Sequence, residues 1–189
     1  MTIATPAAQV SPAVLVVMGV SGSGKTTVGT LLARRLGWRF ADADEFHNAA
    51  NVAKMASGVP LDDADRAPWL QAIAARIDLW LREQQRGVIT CSALRRRYRE
   101  VISGGRPQVR LVYLKGDLAI IAGRLAARRG HFMPASLLDS QLEALEEPTP
   151  AEQAITVSID RPPAGVVDQI IAAAFAGLTA TPLIERDSP

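Results

Sequence analysis

Cysteine is nearly missing from this 189-residue sequence: Cys91 stands alone, which rules out a disulfide within the chain and suits a reducing cytoplasm. Aromatic residues amount to only 5%, so few rings are available to stack bases. No apolar run approaches the length that spans a bilayer, which argues against a membrane protein. No basic residue precedes Lys25, so the charged start of a secretory leader is not seen either. Charge of neither sign dominates, and a formal +2 is too small to argue for a nucleic-acid partner. Internal repeats and dividing linkers are also missing. What remains is an ordinary globular composition, 48% hydrophobic and 21% charged, sized for one domain over 12–177. Residues 1–11 and 178–189 carry Thr, Pro and Ser without periodicity and read as loose tails.

Against that plain background one stretch stands out. Gly19–Thr26, GVSGSGKT, fits the Walker A pattern of Gly, four spacers, Gly, Lys and Thr. The apolar, β-branched run Ala13–Met18 ahead of it reads as a buried strand. Behind it Val28, Leu31, Leu32 and Leu36 recur at helical spacing, and Gly37 offers a stop. Strand, glycine loop and helix are what a phosphate cradle needs. The loop backbone comes close to the anion, and the helix start presents unpaired N–H groups and a positive dipole end. The nucleotide-binding set is thus Gly19, Val20, Ser21, Gly22, Ser23, Gly24, Lys25, Thr26 and Thr27. Lys25 would reach the β- and γ-phosphates of ATP, and Thr26 would give its hydroxyl to Mg²⁺.

Further on, Trp38–Ala41 reads as a second strand that delivers Asp42 and Asp44 to its carboxyl end. A helix is expected over Asn51–Ser57. A long helix follows the polar LDDADR, with Pro68 at its first position, Leu70, Ile73, Ile77, Trp80 and Leu81 on its apolar face, and Gly87 at its end. Strands are expected at Val88–Cys91, Val109–Leu114 and Ile155–Ile159. Helices are expected from Asp117 to Arg129, with Leu118, Ile121 and Leu125 inward, over Ser136–Glu146, and over Gly165–Ala176. Strands alternating with helices imply an α/β fold, a parallel sheet with helices on both faces and ligands at the strands' carboxyl ends. The segment 116–148 carries Arg124, Arg128, Arg129 and His131, many charges for a simple crossover, and reads as a helical lid.

Phosphoryl transfer asks a protein for positioning and for positive charge around the moving group. Lys25, Mg²⁺ and the lid arginines Arg124 and Arg128 would supply that charge, the two arginines standing four apart on one helix face. The third strand ends Thr90-Cys91-Ser92 without a carboxylate, so Asp42 is the nearest replacement for a metal-holding aspartate. Asp44 then suits a different task, accepting a hydroxyl proton from the phosphate acceptor. Cys91 reads as a small core residue. The basic stretches Arg95–Arg99 and Arg124–Arg129 fit an anionic small substrate.

Taken in order, MGVSGSGKT, DADEFH, NVAKMASGVPLDDADRAPWL, CSALRRRYR, YLKGD, RLAARRGHFMP, LLDSQLEALEEP and IDRPPAGVV resemble the gluconokinases, P-loop sugar-acid kinases similar to shikimate kinase. The likeness runs from about Met18 to Val167. It implies ATP-dependent phosphorylation of D-gluconate to 6-phosphogluconate, a P-loop three-layer sandwich with strand order 2-3-1-4-5, and a homodimer. It also implies that Asp44, His47, Lys54 and Arg66 lie on the sugar-acid side, within a substrate-binding segment at about 42–87. Ser92 and Arg95 would join them after the third strand, His131 and Gln141 from the lid, while Arg124 and Arg128 would bind nucleotide and phosphate. Arg66 could equally pair with Asp62 or Asp63, and Gln141 could simply be solvated. One departure is Arg95–Arg97, where the family often has Lys; charge is kept, but the substitution does not guarantee the geometry. The competing readings are a kinase for another small hydroxy acid and a nucleotide-binding switch without a small substrate. Nucleic-acid binding through Arg95–Arg99 is poorly served, since only Tyr98 is interleaved there.

Overall fold

Residues 11–126 and 135–176 are described by the computed structural model. Five parallel strands form one sheet: β1 (Val14–Met18), β2 (Arg39–Asp42), β3 (Gly87–Thr90), β4 (Val109–Lys115) and β5 (Ile155–Ser158). Their order is β2-β3-β1-β4-β5, as the resemblance implies. Every residue of β1 is fully buried, which explains its unbroken apolar run: a central parallel strand has no wet face.

Alternation along β1 divides the core. Val14, Val16 and Met18 pack with Leu70, Ile73, Ile77 and Trp80 of α3 (Asp63–Arg82) and with Tyr98 and Ile102 of α4 (Arg96–Ser103). Leu15 and Val17 face the other way, toward Val28 and Leu32 of α1 (Lys25–Leu36), Ile121 of α5 (Leu118–Ala126), and Val166, Val167 and Ile170 of α7 (Pro163–Ala174). Each such side chain contributes on the order of 1.5–3 kcal/mol by leaving water. The remaining α-helices of the described residues are α2 (Ala49–Ala56) and α6 (Ala135–Ala144).

Apart from shifted element ends and α4, a helix that the sequence reading does not include, the structure departs from expectation in four places. Helix α3 starts five residues before Pro68, at Asp63, because Asp62 and Asp65 cap each other's backbone N–H in a reciprocal box. It stops at Glu83, where Gln84 takes a left-handed turn, so Gly87 is no helix stop. Gly87 instead opens β3, where the Trp80 ring would lie 2.2 Å from any added Cβ. Leu118 is 54% exposed rather than inward: it is the first residue of α5, three positions after β4 ends. Arg99, grouped with the substrate cations, is 1% exposed. Its guanidinium pairs with Glu152 and donates to the carbonyls of Ala93, Leu94 and Glu146, so it is a buried fastener.

Candidate active site

The Walker loop joins β1 to α1 at the carboxyl edge of the sheet. Gly24, at φ 92°, adopts the left-handed backbone that opens the helix, and Gly22 does the same at φ 83°. A Cβ on Gly22 would lie 2.9 Å from Leu125 of α5, so the loop has room only for hydrogen there. No acidic residue occupies the first turn of α1, which leaves its positive end open to an anion. Lys25 Nζ donates to the Val20 carbonyl at 3.1 Å, folding the side chain back along the loop. From α5, Arg124 donates to the carbonyls of Ile159 at 2.7 Å and Ser23 at 3.5 Å, which holds its guanidinium against the loop.

Strand β2 pairs with β3 through Asp42 and Thr90, so Asp42 ends level with the loop. Its carboxylate is shared. One oxygen accepts the Thr26 hydroxyl at 3.1 Å, and the other accepts the Asp44 N–H at 3.2 Å. The second bond caps the one-turn 3-10 helix Ala43–Phe46 and turns the chain so that Asp44 follows directly. Asp44 stands at the solvent edge, yet enough protein surrounds its carboxyl to raise its pKa, helped by the neighbouring Asp42 charge and opposed by Lys25 and His47. A carboxyl held toward its neutral form accepts a proton more readily than a free aspartate.

His47 closes this turn. Its ring stacks on Trp69 of α3, 4.6 Å apart and 10° from parallel. Burial lowers its pKa; Asp44 opposes that shift and Arg66 reinforces it. Its Nδ1 is buried and has no hydrogen-bond partner among the described residues. Asn48 caps α2 through the Asn51 N–H, and Asn51 in turn donates to the Asp65 carbonyl, tying α2 to α3.

The other anticipated side chains differ in what they touch. Arg66 pairs with neither Asp62 nor Asp63. It lies 5.8 Å over the Tyr98 ring and donates weakly to its hydroxyl, which donates to Asp63. Lys54 already has two carboxylates, Asp65 and, at 3.7 Å, Asp62. Ser92 and Arg95 follow β3 at the same sheet edge, both half-buried; the Ser92 carbonyl accepts the Gly19 N–H, and Arg95 stands at the N-cap position of α4 without a side-chain cap bond. Gln141 of α6 touches the loop that precedes α1. Its amide oxygen accepts the Ser21 N–H at 2.7 Å and its amide nitrogen donates to the Ser21 hydroxyl, so it rests on the Walker loop. Arg128, Arg129 and His131 lie outside the described residues. Cys91 is buried and its thiol is pushed up to about 12, as a core residue requires.

Trp69, buried under the Asp44 turn, escapes the sequence reading, and the fastener Arg99 is hidden there among the substrate cations. A hollow of about 440 Å³ lined by Arg106, Arg110 and Gln153 sits at the start of β4, the far end of the sheet, and is no part of this site.

A Walker loop, a carboxylate tied to its threonine and a second, exposed carboxyl two residues on are parts that phosphoryl transfer can use. Comparison with known proteins agrees. The shikimate kinase family model matches residues 21–174. A gluconokinase of Gluconobacter oxydans is 51% identical over 164 residues, covering 85% of this chain and 90% of that protein. The chain belongs to the gluconokinases, within the shikimate kinase family. Among solved structures, a gluconokinase from Sinorhizobium meliloti superposes with a TM-score of 0.78 at 41% identity, covering 87% of this chain and 92% of that one. An unliganded sugar kinase from a Janibacter species gives 0.79 at 45% identity, covering 85% and 93%. The gluconokinase fold thus accounts for the sheet order, and no described helix is long and apolar enough to cross a membrane.

Proposed function

We propose that this chain transfers the γ-phosphoryl group of ATP to D-gluconate, giving 6-phospho-D-gluconate. The observation that carries the reading is the Asp42 relay: one carboxylate joins Thr26 of the Walker loop to the turn that presents Asp44. This supports a nucleotide side and an acceptor side that adjoin at Asp42.

Each residue then has a task. The loop N–H groups and Lys25 hold the β- and γ-phosphates, with Arg124 and Arg128 adding charge from the lid. Thr26 and Asp42 fit Mg²⁺, a hard cation that binds through one or two protein oxygens and the nucleotide's own phosphates. Bound there, Mg²⁺ would offset charge on the phosphates. Asp44 takes the proton of the attacking hydroxyl. Arg66 and Arg95 meet the gluconate carboxylate, while His47, Ser92 and His131 meet its hydroxyls. Lys54 has its charge matched by Asp65 and Asp62, so we assign it to holding α2 on α3. Gln141, seated on Ser21, is assigned to the nucleotide loop. The resemblance supports a homodimer, and the single cysteine supports a cytoplasmic setting.

A coupled assay of ADP release with ATP and Mg²⁺ tests the reading across gluconate, other aldonates, shikimate and no acceptor. Release that requires gluconate supports it. Release with shikimate alone would reassign the pocket, and none with any acceptor would favour a nucleotide-binding switch.

A further inference from the structure

Asp44 and His47 share a support that no motif announces. Trp69 is 4% exposed, and its indole N–H donates to the Ala43 carbonyl at 2.7 Å. That carbonyl and the Asp44 N–H belong to one peptide group. The N–H end donates to Asp42, so both polar ends of the group are tied. A peptide group is planar, and two ties fix the plane from which the Asp44 side chain departs. Ala43 is fully buried, so water does not substitute for the indole. On the same ring system rests His47, parallel within 10°. One side chain therefore sets the peptide before Asp44 and the plane of the imidazole three residues later.

We propose that Trp69 is a positioning residue for phosphoryl transfer, clamping the Ala43–His47 turn so that Asp44 and His47 face the acceptor in one fixed geometry. It touches neither substrate nor nucleotide in this role and acts through the two residues it holds. The inference rests on the reading of Asp44 as proton acceptor, and its test separates the two.

The chain has two histidines, so His47 can be followed by proton NMR, with His131→Gln assigning the pair. The charged groups facing the imidazole are Asp44 of its own turn and Arg66 of α3. In the unaltered protein the His47 ring protons are expected upfield, under the indole ring current, and to titrate below the ordinary histidine value. Trp69→Leu should return both toward ordinary positions and lower kcat on gluconate by about 10²-fold, the scale of a small misplacement of a reacting group. Trp69→Phe keeps a stacking ring but loses the N–H, and should lower kcat about tenfold, the scale of one hydrogen bond, with KM for ATP unchanged. A tryptophan that merely fills the core would lower the melting midpoint and leave kcat per folded molecule intact. Full kcat in Trp69→Phe, or unshifted His47 resonances in the unaltered protein, would overturn the clamp. Should the unaltered protein ignore gluconate, the proposed reaction fails, and the clamp is still judged by the His47 resonances of Trp69→Leu.

Discussion

Gln141 reaches back 120 residues to grip Ser21, accepting its N–H at 2.7 Å and donating to its hydroxyl at 3.1 Å. The contact joins α6, within the segment we assign as a lid, to the loop we assign to ATP phosphates. Gln141→Ala removes both bonds, each worth about 0.5–1.5 kcal/mol. KM for ATP should therefore change by about fivefold to about a hundredfold, with KM for gluconate nearly constant. Initial rates with one substrate varied at a time decide this. A change confined to the gluconate KM would return Gln141 to the sugar-acid pocket.

Asp44 and Lys25 are expected to fail differently. Asp44→Asn keeps the turn, because the Asp42 cap binds the backbone N–H of residue 44 and not its side chain. Transfer should fall by about 10²–10⁴-fold, the usual worth of a general base, while ATP binding stays near normal. Lys25→Ala should lose activity together with phosphate affinity. Calorimetric titration with ATP beside turnover separates the cases; normal turnover in Asp44→Asn would remove Asp44 from the chemistry.

Cys91 should be chemically silent. Burial pushes its thiol up to about 12, so at pH 8 the reactive thiolate is scarce, on the order of one part in 10⁴. Thiol reagents should label the native protein slowly and the urea-unfolded protein fast, and Cys91→Ala should keep its kcat. Rapid labelling of native protein would show that the β3 end opens.

The two halves of the Walker site read differently from sequence. The apolar run before Gly19 and the period-3.6 pattern up to Gly37 are local signals, and Gly37 does take the left-handed stop at φ 65°. The start of α3 is also local but disguised, since its capping box uses Asp62 and Asp65 instead of the common Ser or Thr with Glu. Pro68, a good first-position residue, pointed to the wrong turn. Trp69 and Arg99 were not legible at all. Trp69 bonds a carbonyl 26 residues away and Arg99 a carboxylate 53 away, and neither separation leaves a pattern along the chain. A cluster written Arg95–Arg99 looks uniform, yet its members divide between the cleft edge and the interior.

Arg99 therefore predicts an acid-sensitive fold. Its guanidinium donates to both oxygens of Glu152, and that hydrogen bonding is the chief cause holding the Glu152 carboxyl below its ordinary value. The side chains are 1% and 11% exposed, so the pair is poorly screened. With the folded pKa depressed, the stabilisation is complete above the unfolded glutamate value of about 4.3 and is lost as pH falls through the lower folded value. Arg99→Met at neutral pH leaves Glu152 without its cation and should cost about 3–5 kcal/mol. It should also flatten the acid limb, because Glu152 then titrates similarly folded and unfolded. Glu152→Gln should share the flattened limb while leaving Arg99 its three carbonyl acceptors, and so cost less. Urea midpoints collected between pH 3 and pH 7 test both parts. Equal midpoints for Arg99→Met and the unaltered protein at pH 7 would mean that the fastener holds nothing, and parallel acid limbs would detach it from the pH dependence.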